Sequence, residues 1–336
     1  MLDLSIIIVS WNVKDLLQRC LESILQHPLT KPLSENYERK HKLKWMQNSV
    51  NRRREVSLPS GIQFEAFVVD NASLDGSAEM VRERFPQVHL IENEENLGFA
   101  AANNQAIRRS QGRYVLLLNP DTVVCHDALT KLIDFLEGNP EVAVAGPKLL
   151  HPDGQIQHSA FAFPTLPMAF LDFFPIHHRL INSPFNGRYP RRLYEGGEPF
   201  PIDHPLGACL MARREAIEQV GLLDEGFFIY CEEIDWCMRA KKAGWQIYCV
   251  PQAEVVHYVA QSTQQARDEM FVQLWKSRYL LFAKHYSRFY QWAVRRIVRL
   301  GLWRERRKAQ MAYRQGRISE EELKSRLAAC RQIAGM

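Results

Sequence analysis

Acidic side chains stand at the ends of apolar runs at three places in this chain. Asp70 closes Phe67-Val68-Val69, Asp121 follows Tyr114–Leu118 and Asn119-Pro120, and Glu232, Glu233 and Asp235 follow Phe227-Phe228-Ile229-Tyr230. Ligands bind at the carboxyl ends of strands in an open parallel sheet, so acids placed there are site candidates. Carboxylate oxygens suit a hard divalent cation that neutralises a departing diphosphate. A carboxylate within hydrogen-bond reach of a hydroxyl can remove its proton. Together the three points suggest a polyanionic nucleotide substrate held through Mg²⁺ or Mn²⁺, with a base nearby.

The elements that must position these acids alternate. Leu4–Ser10 is a continuous β-branched run, the pattern of a strand buried on both faces. Asn12 is placed to cap a helix whose core face is Val13, Leu16, Leu17, Cys20, Leu21 and Ile24. Strands follow at Ile62–Val69, Val88–Ile91, Tyr114–Leu118 and Val142–Ala145, with helices near Ser77–Phe85, Ala100–Arg109 and Ala128–Leu136. This alternation predicts an α/β fold with a doubly wound, mostly parallel central sheet and helices on both faces. Residues 27–60 interrupt it as a basic surface insertion, with a short helix expected at 37–47. Residues 161–200, rich in Phe, Pro, Gly and Arg, read as a long shaping loop. A helix over Glu233–Ala243 should stop at Gly244, before strands at Trp245–Val250 and Ala253–His257.

A chain of 336 residues with 46% hydrophobic content can bury one large core or two smaller ones. The formal charge of +5 conceals an asymmetry. Residues 31–54 carry 8 Lys/Arg against 2 acids and residues 288–317 carry 10 against 1, which leaves −10 on the remainder. An acidic body with basic appendages implies local contact with an anionic surface and argues against wrapping nucleic acid. The 7 cysteines are scattered without a CxxC pair, so neither a disulfide framework nor a zinc knuckle is indicated. Met1–Leu4 runs into a strand with no basic flank, and no apolar run approaches the roughly 20 residues of a membrane span. A cytoplasmic location, soluble or peripheral on the inner face of the membrane, is expected.

Five segments carry a resemblance. Ser5-Ile6-Ile7-Ile8-Val9-Ser10-Trp11-Asn12, Val68-Val69-Asp70-Asn71-Ala72-Ser73, Asn96-Leu97-Gly98-Phe99-Ala100, Asn119-Pro120-Asp121 and Phe228–Asp235 occur in the order seen in family 2 glycosyltransferases. The chain most resembles their rhamnosyltransferase-like subgroup over about residues 3–285. The resemblance implies a GT-A type nucleotide-diphospho-sugar transferase fold over 1–285, with a nucleotide-binding half (1–121) and an acceptor half (122–285). It also implies inversion at the sugar's anomeric carbon. The donor would be dTDP-rhamnose or a UDP-sugar, and the acceptor a glycan or lipid-linked hydroxyl in cell-surface polysaccharide or glycolipid synthesis.

By that resemblance Asp70 reads the pyrimidine, while Val9, Ser10 and Trp11 line the base and ribose pocket. A strand-end Asp that caps the next turn is the competing reading. Asp121 corresponds to the last acid of the family's DxD motif and would hold the metal. Asn119 stands at the first acid, which implies weak metal binding completed by the diphosphate. His257 matches a metal-binding histidine of some members, against the plainer reading of a structural histidine. Glu233 occupies the position of the family's base, usually Asp, with Glu232 as runner-up. Asp235 and Arg239, four apart, more simply pair with each other. Gly98 permits close backbone approach near the diphosphate or ribose. His204 replaces a frequent Trp, and Ser159–Pro164 lacks the arginines often found before its Phe-Pro, so both departures fall where sugar or acceptor would sit.

Residues 286–336 read as a basic amphipathic helical tail. Tyr290, Ala293, Val294, Ile297 and Val298 share a helical face opposite Arg295, Arg296 and Arg299, the design of a helix lying on an anionic membrane or of a packed helix. Residues 304–336 suggest a solvated hairpin. Two other classes compete. A sugar nucleotidyltransferase would want a glycine-rich phosphate loop where Ser10-Trp11-Asn12-Val13 stands. A non-catalytic membrane-surface or nucleic-acid-binding scaffold would not need Asp70, Asp121 and Glu233 together.

Overall fold

The computed structural model describes residues 2–25, 56–57, 61–258 and 267–336. The expected insertion at 27–60, with its helix at 37–47, therefore lies outside the described residues apart from 56–57. The chain runs β1 (Leu4–Ser10), α1 (Lys14–Leu25), β2 (Val56–Ser57), β3 (Gln63–Asp70), α2 (Ser77–Arg84), β4 (His89–Glu92), α3 (Phe99–Ile107), β5 (Tyr114–Leu118), β6 (Thr122–Val124), α4 (Ala128–Gly138) and β7 (Val142–Leu150). It continues through β8 (Ile156–Gln157), β9 (Ala160–Phe161), α5 (Leu166–Phe173), α6 (His178–Ile181), α7 (Arg191–Glu195), β10 (Phe200–Pro201), β11 (His204–Pro205), β12 (Cys209–Arg213), α8 (Arg214–Val220), α9 (Glu232–Lys242) and β13 (Gln246–His257). Three long helices complete the chain, α10 (Arg267–His285), α11 (Arg288–Arg314) and α12 (Glu320–Ala334).

The central sheet has the order β10-β13-β7-β12-β5-β1-β3-β2, with β4 on β3, β6 on β13 and β8 on β7. The expected parallel core is present: β1 pairs in parallel with β3 and β5, β3 with β4, and β7 with β13. All seven residues of β1 are buried, as its β-branched run requires. One internal strand differs. β12, which follows the 151–208 excursion, runs antiparallel between β5 and β7.

Several local expectations are corrected. Asn12 does not cap α1; it takes a left-handed φ of 53° and accepts the Leu74 N–H on its side chain at 2.8 Å. The first helical N–H, on Lys14, goes to Asp75 instead at 2.8 Å. The two strands expected after Gly244 are one long strand, β13, with an irregularity between Val250 and Glu254. The 161–200 segment is not a plain loop; it holds three short helices and β9, which pairs with β11. Glycine does end α9, where Gly244 takes a φ of 95°. All seven cysteines are free and buried.

The C-terminal helices decide between the two readings of the tail's apolar face in favour of the packed helix. Val294 and Val298 are fully buried and pack with Phe173, Trp275 and Phe282. The 304–336 segment forms the expected helical hairpin, the end of α11 and α12, mostly exposed but packed along one face through Ala309, Ala329, Cys330 and Ile333. Ser319 and Glu322 form a reciprocal capping box that starts α12.

Gly301 sets the distance between α11 and α5, because a Cβ there would lie 2.1 Å from Cγ of Phe173. Gly301→Ala is expected to destabilise the protein by about 1–3 kcal/mol through overpacking, measured by chemical unfolding. Gly138→Ala, where nothing lies within 4 Å of the added carbon, is the matched control and should be nearly neutral.

Candidate active site

A cleft of about 910 Å³ opens at the carboxyl ends of β1 and β5. Val9, Trp11, Gly98, Asn119 and Asp121 line it from the N-terminal half, and Glu232, Glu233 and His257 from the C-terminal half. Eight of the ten residues singled out in the sequence thus share one cavity. Ser10 and Asp70 sit behind it as register partners at the ends of β1 and β3. Both are buried, and Ser10 Oγ and Asp70 Oδ1 have no hydrogen-bond partner. The other Asp70 oxygen accepts the Ser73 N–H at 2.9 Å, so the turn-capping role is also filled.

Sheet pairing builds the Asp121 corner. β13 runs antiparallel to β6, with His257 opposite Thr122, and the Tyr258 N–H bonds the Asp121 carbonyl at 2.9 Å. His257 Nε2 then lies 3.3 Å from Asp121 Oδ1, which accepts no hydrogen bond. The other ring nitrogen, Nδ1, is 3.2 Å from Gln157 Oε1, an acceptor. In the tautomer that donates to that oxygen, the Nε2 lone pair faces the carboxylate. Two buried acceptor atoms facing each other fit a shared cation. Among the described residues no third His, Cys, Asp or Glu completes a metal cluster.

The acid pair stands on a strained turn. Tyr230 and Cys231 take φ of 70° and 69°, a left-handed pair of non-glycine residues immediately before α9. An ion-pair clamp on the first turn of α9 holds this strain in place. Asp235 bonds Arg239 at 2.8 Å, Lys284 at 2.5 Å and His285 at 2.7 Å, while Arg239 also bonds the carbonyls of Val220 and Leu222. The expected Asp235–Arg239 pair is therefore part of a larger clamp between α9 and α10. Burial pushes the Asp235 carboxyl up, but the bonds from Lys284, His285 and Arg239 outweigh it and hold it below the usual range.

Glu232 and Glu233 have no such partners, and one oxygen of each is unbonded. Burial raises the Glu233 carboxyl to about 7, against hydrogen bonds from the helix N-terminus that lower it. Burial and the neighbouring Glu233 charge raise Glu232 well above the carboxylate range. Glu233 can exchange a proton near neutral pH, and burial beside it favours the protonated form of Glu232.

Gly98 acts first on packing. A Cβ there would meet the Phe228 carbonyl oxygen at 2.3 Å, and the Phe99 N–H bonds that oxygen at 2.6 Å. This contact ties the N-terminal half to the segment leading into α9. Asn71, buried behind it, donates to Asn96 Oδ1 and the Gly98 carbonyl and accepts from Asn93. His204 does not line the cleft; it is buried between Phe161 and Phe163, and burial lowers it to about 4.

The sequence reading missed Arg188, Arg191, His158 and Gln157, which all face the cleft. Their signal was only composition, an Arg-bearing segment far from the motifs. Tyr230 and Met270 also border a second cleft of about 1160 Å³ between α10, α11 and α12.

Known proteins share both the sequence pattern and the fold. Residues 5–221 match the family model described as glycosyl transferase family 2. An N-acetylglucosaminyl-diphospho-decaprenol L-rhamnosyltransferase of Mycobacterium tuberculosis is 30% identical over 260 residues, covering 73% of this chain and 82% of that protein. The rhamnosyltransferase WbbL of Escherichia coli is 28% identical over 170 residues, covering 48% and 61%. In fold, the chain is similar to the mannosyltransferase PcManGT from Pyrobaculum calidifontis, solved with GDP-Man and Mn²⁺, with a TM-score of 0.52, 15% identity and coverage of 98% and 86%. GalNAc-T7, solved with UDP, GalNAc and Mn²⁺, gives 0.51 at 17% identity, over 77% of this chain and 43% of that one. These likenesses establish the GT-A type fold and an enzyme that uses nucleotide sugars: the chain belongs to glycosyl transferase family 2.

Proposed function

We propose that this enzyme moves a sugar from a pyrimidine nucleoside diphosphate, dTDP-rhamnose or a UDP-sugar, to a hydroxyl of a lipid-linked or glycan acceptor, with inversion. The observation that carries the reading is the Asp121–His257 pair, a carboxylate oxygen and an imidazole nitrogen 3.3 Å apart, with the other ring nitrogen 3.2 Å from Gln157 Oε1. Asp121 and His257 would hold a divalent cation whose remaining ligands come from the donor and water; it would neutralise charge on the leaving diphosphate. An imidazole nitrogen matches Mn²⁺ better than the harder Mg²⁺. Asp70, with one oxygen unbonded, would accept the imide N–H of the base, beside Ser10 and the Val9–Trp11 wall. Glu233 would take the acceptor proton, with the unbonded Glu232 oxygen next to it. A scaffold without catalysis leaves the unbonded oxygens of Asp121, Glu232 and Glu233 unexplained.

The acceptor is proposed to sit on a membrane. No helix among the described residues is long and apolar enough to cross one. With the inner face of α11 packed, its outer face exposes Phe289, Trp292, Leu300, Trp303 and Met311. Arg296 stacks on Trp292 and Arg307 on Trp303. Aromatic side chains backed by arginines suit the interface of an anionic bilayer. Met311 also lines the second cleft, so this stripe leads toward the one holding Glu233.

Three outcomes are expected. Asp121→Asn and His257→Ala should each weaken Mn²⁺-dependent UDP or dTDP binding about tenfold or more by calorimetry, leaving metal-free binding unchanged. Equal affinity in both variants would remove the metal assignment. Glu233→Gln should lower kcat by about 10²–10⁴ with nucleotide binding intact. In the parent enzyme kcat/KM should rise with pH until about 7 and then level. Because this folded carboxyl is raised, its stabilising contribution is complete below the ordinary carboxylate range and lost as pH rises through 7. Glu233→Gln should accordingly melt higher than the parent at pH 8 but not at pH 4. Finally, the protein should co-sediment with phosphatidylglycerol vesicles and not with phosphatidylcholine vesicles, and Trp292→Ala/Trp303→Ala should abolish this; equal sedimentation with both would contradict the docking face.

A further inference from the structure

A third basic stretch lies outside the two that dominate the charge of the chain. Residues 174–192 carry four arginines and two histidines and no acid. Asp172, just before it, is paired with Arg278 at 2.6 Å. Two large apolar side chains of this stretch nevertheless face outward, Ile176 at 68% and Phe185 at 67% exposure. His177, His178 and Arg179 beside Ile176 are exposed as well. A single exposed apolar side chain needs no account, but a cluster rimmed by one sign of charge marks an interaction surface.

The turns that display these tips are anchored at both ends. The stretch leaves α5 at Phe174, whose ring stacks on Phe170 at 4.7 Å and lies under the Arg304 guanidinium of α11 at 5.4 Å. Arg304 also donates to the Phe173 carbonyl. The side chains of His177 and Ser183 cap α6 and the 3₁₀ turn Pro184–Asn186, which carries Phe185. Gly187 closes the excursion against the start of α5: it takes a φ of 68°, and a Cβ there would lie 2.6 Å from Met168 Cε. The Ala162 N–H bonds its carbonyl at 2.8 Å.

Two neighbours decide what the tips meet. Arg304 joins the stretch to α11 next to Trp303 and one turn from Leu300, which are 51% and 52% exposed. Within the stretch, Arg188 donates to Asn182 Oδ1 at 2.5 Å, and both residues line the cleft that holds Glu233. The patch therefore runs from the outer face of α11 to the mouth of the cleft. Apolar tips among arginines, with no carboxylate between them, complement anionic headgroups above an apolar interior.

Resting on the reading that the acceptor sits on a membrane, we propose that residues 174–187 form a second bilayer contact, with Ile176 and Phe185 inserted among anionic headgroups. A single helix lying on a bilayer leaves the molecule free to roll about the helix axis. A second contact beside the cleft removes that freedom and sets the cleft mouth at the level of the headgroups.

The test is binding of the full chain to phosphatidylglycerol vesicles by the parent and by Ile176→Ser/Phe185→Ser, with melting points and Mn²⁺-dependent UDP and dTDP titrations alongside. The variant should bind vesicles about tenfold or more weaker, with an unchanged melting point and nucleotide affinity within about twofold. A nitrobenzoxadiazole label on Phe185→Cys, selective because the native cysteines are buried, should shift to the blue on the vesicles and be quenched by brominated acyl chains. Equal vesicle affinity in parent and variant, or a label that stays aqueous on vesicle-bound protein, overturns the second contact. Binding that needs Trp292 and Trp303 but not Ile176 and Phe185 does so while leaving the α11 face in place; a parent that binds no vesicles removes both. A dimer in sedimentation velocity that the serine variant dissociates, with vesicle binding unchanged, assigns the patch to a second copy of the chain and also overturns the proposal. The nucleotide titrations judge the transferase reading separately from all of these.

Discussion

The site depends on one strand pairing. β13 lies parallel to β7 and, at its far end, antiparallel to β6, which sets His257 opposite Thr122 and beside Asp121. Without that register the imidazole would stand on the other face of the strand, since a shift of one residue exchanges the faces. With it, a buried carboxylate oxygen and a buried imidazole nitrogen face each other at 3.3 Å. Acceptors left unpaired in low dielectric are costly, and a cation satisfies both at once.

The opposite side of the cleft uses the same principle with protons. Glu232 and Glu233 project from the start of α9 after two left-handed residues, and burial raises both carboxyls. A base near neutrality is what proton removal from a hydroxyl favours, and its cost in stability is borne by the rest of the helix. The Asp235 clamp to Arg239, Lys284 and His285 holds α9 against α10. Three acids within four positions thus divide into two reactive groups and one anchor, separated by which of them finds cations.

Much of this was legible in the chain. The parallel core could be read because β1, β3 and β5 are buried runs with helical periodicity between them. Acids at strand ends pointed to the cleft, and the order of the five motifs gave the family. The role of Asn12 and the direction of β12 were not legible, and the cover of α11's apolar face stayed open between membrane and protein. Each depends on a partner distant in sequence: Leu74 for Asn12, the flanking β5 and β7 for β12, and Phe173 and Trp275 for Val294 and Val298. An amphipathic stripe fixes that a helix face will be covered, but not whether by lipid or by protein. Arg188 and Arg191 were missed for a similar reason, since only the β-bridge to Phe161 brings Arg188 to the cleft.

The central claim is that Asp121 and His257 share a divalent cation with the donor's diphosphate. Electron spin-echo envelope modulation of Mn²⁺, bound to the protein with UDP or dTDP in frozen solution, addresses it directly. The account predicts modulation from one directly coordinated imidazole nitrogen, absent in His257→Ala. Mn²⁺ held with the nucleotide but showing no nitrogen coupling would contradict it.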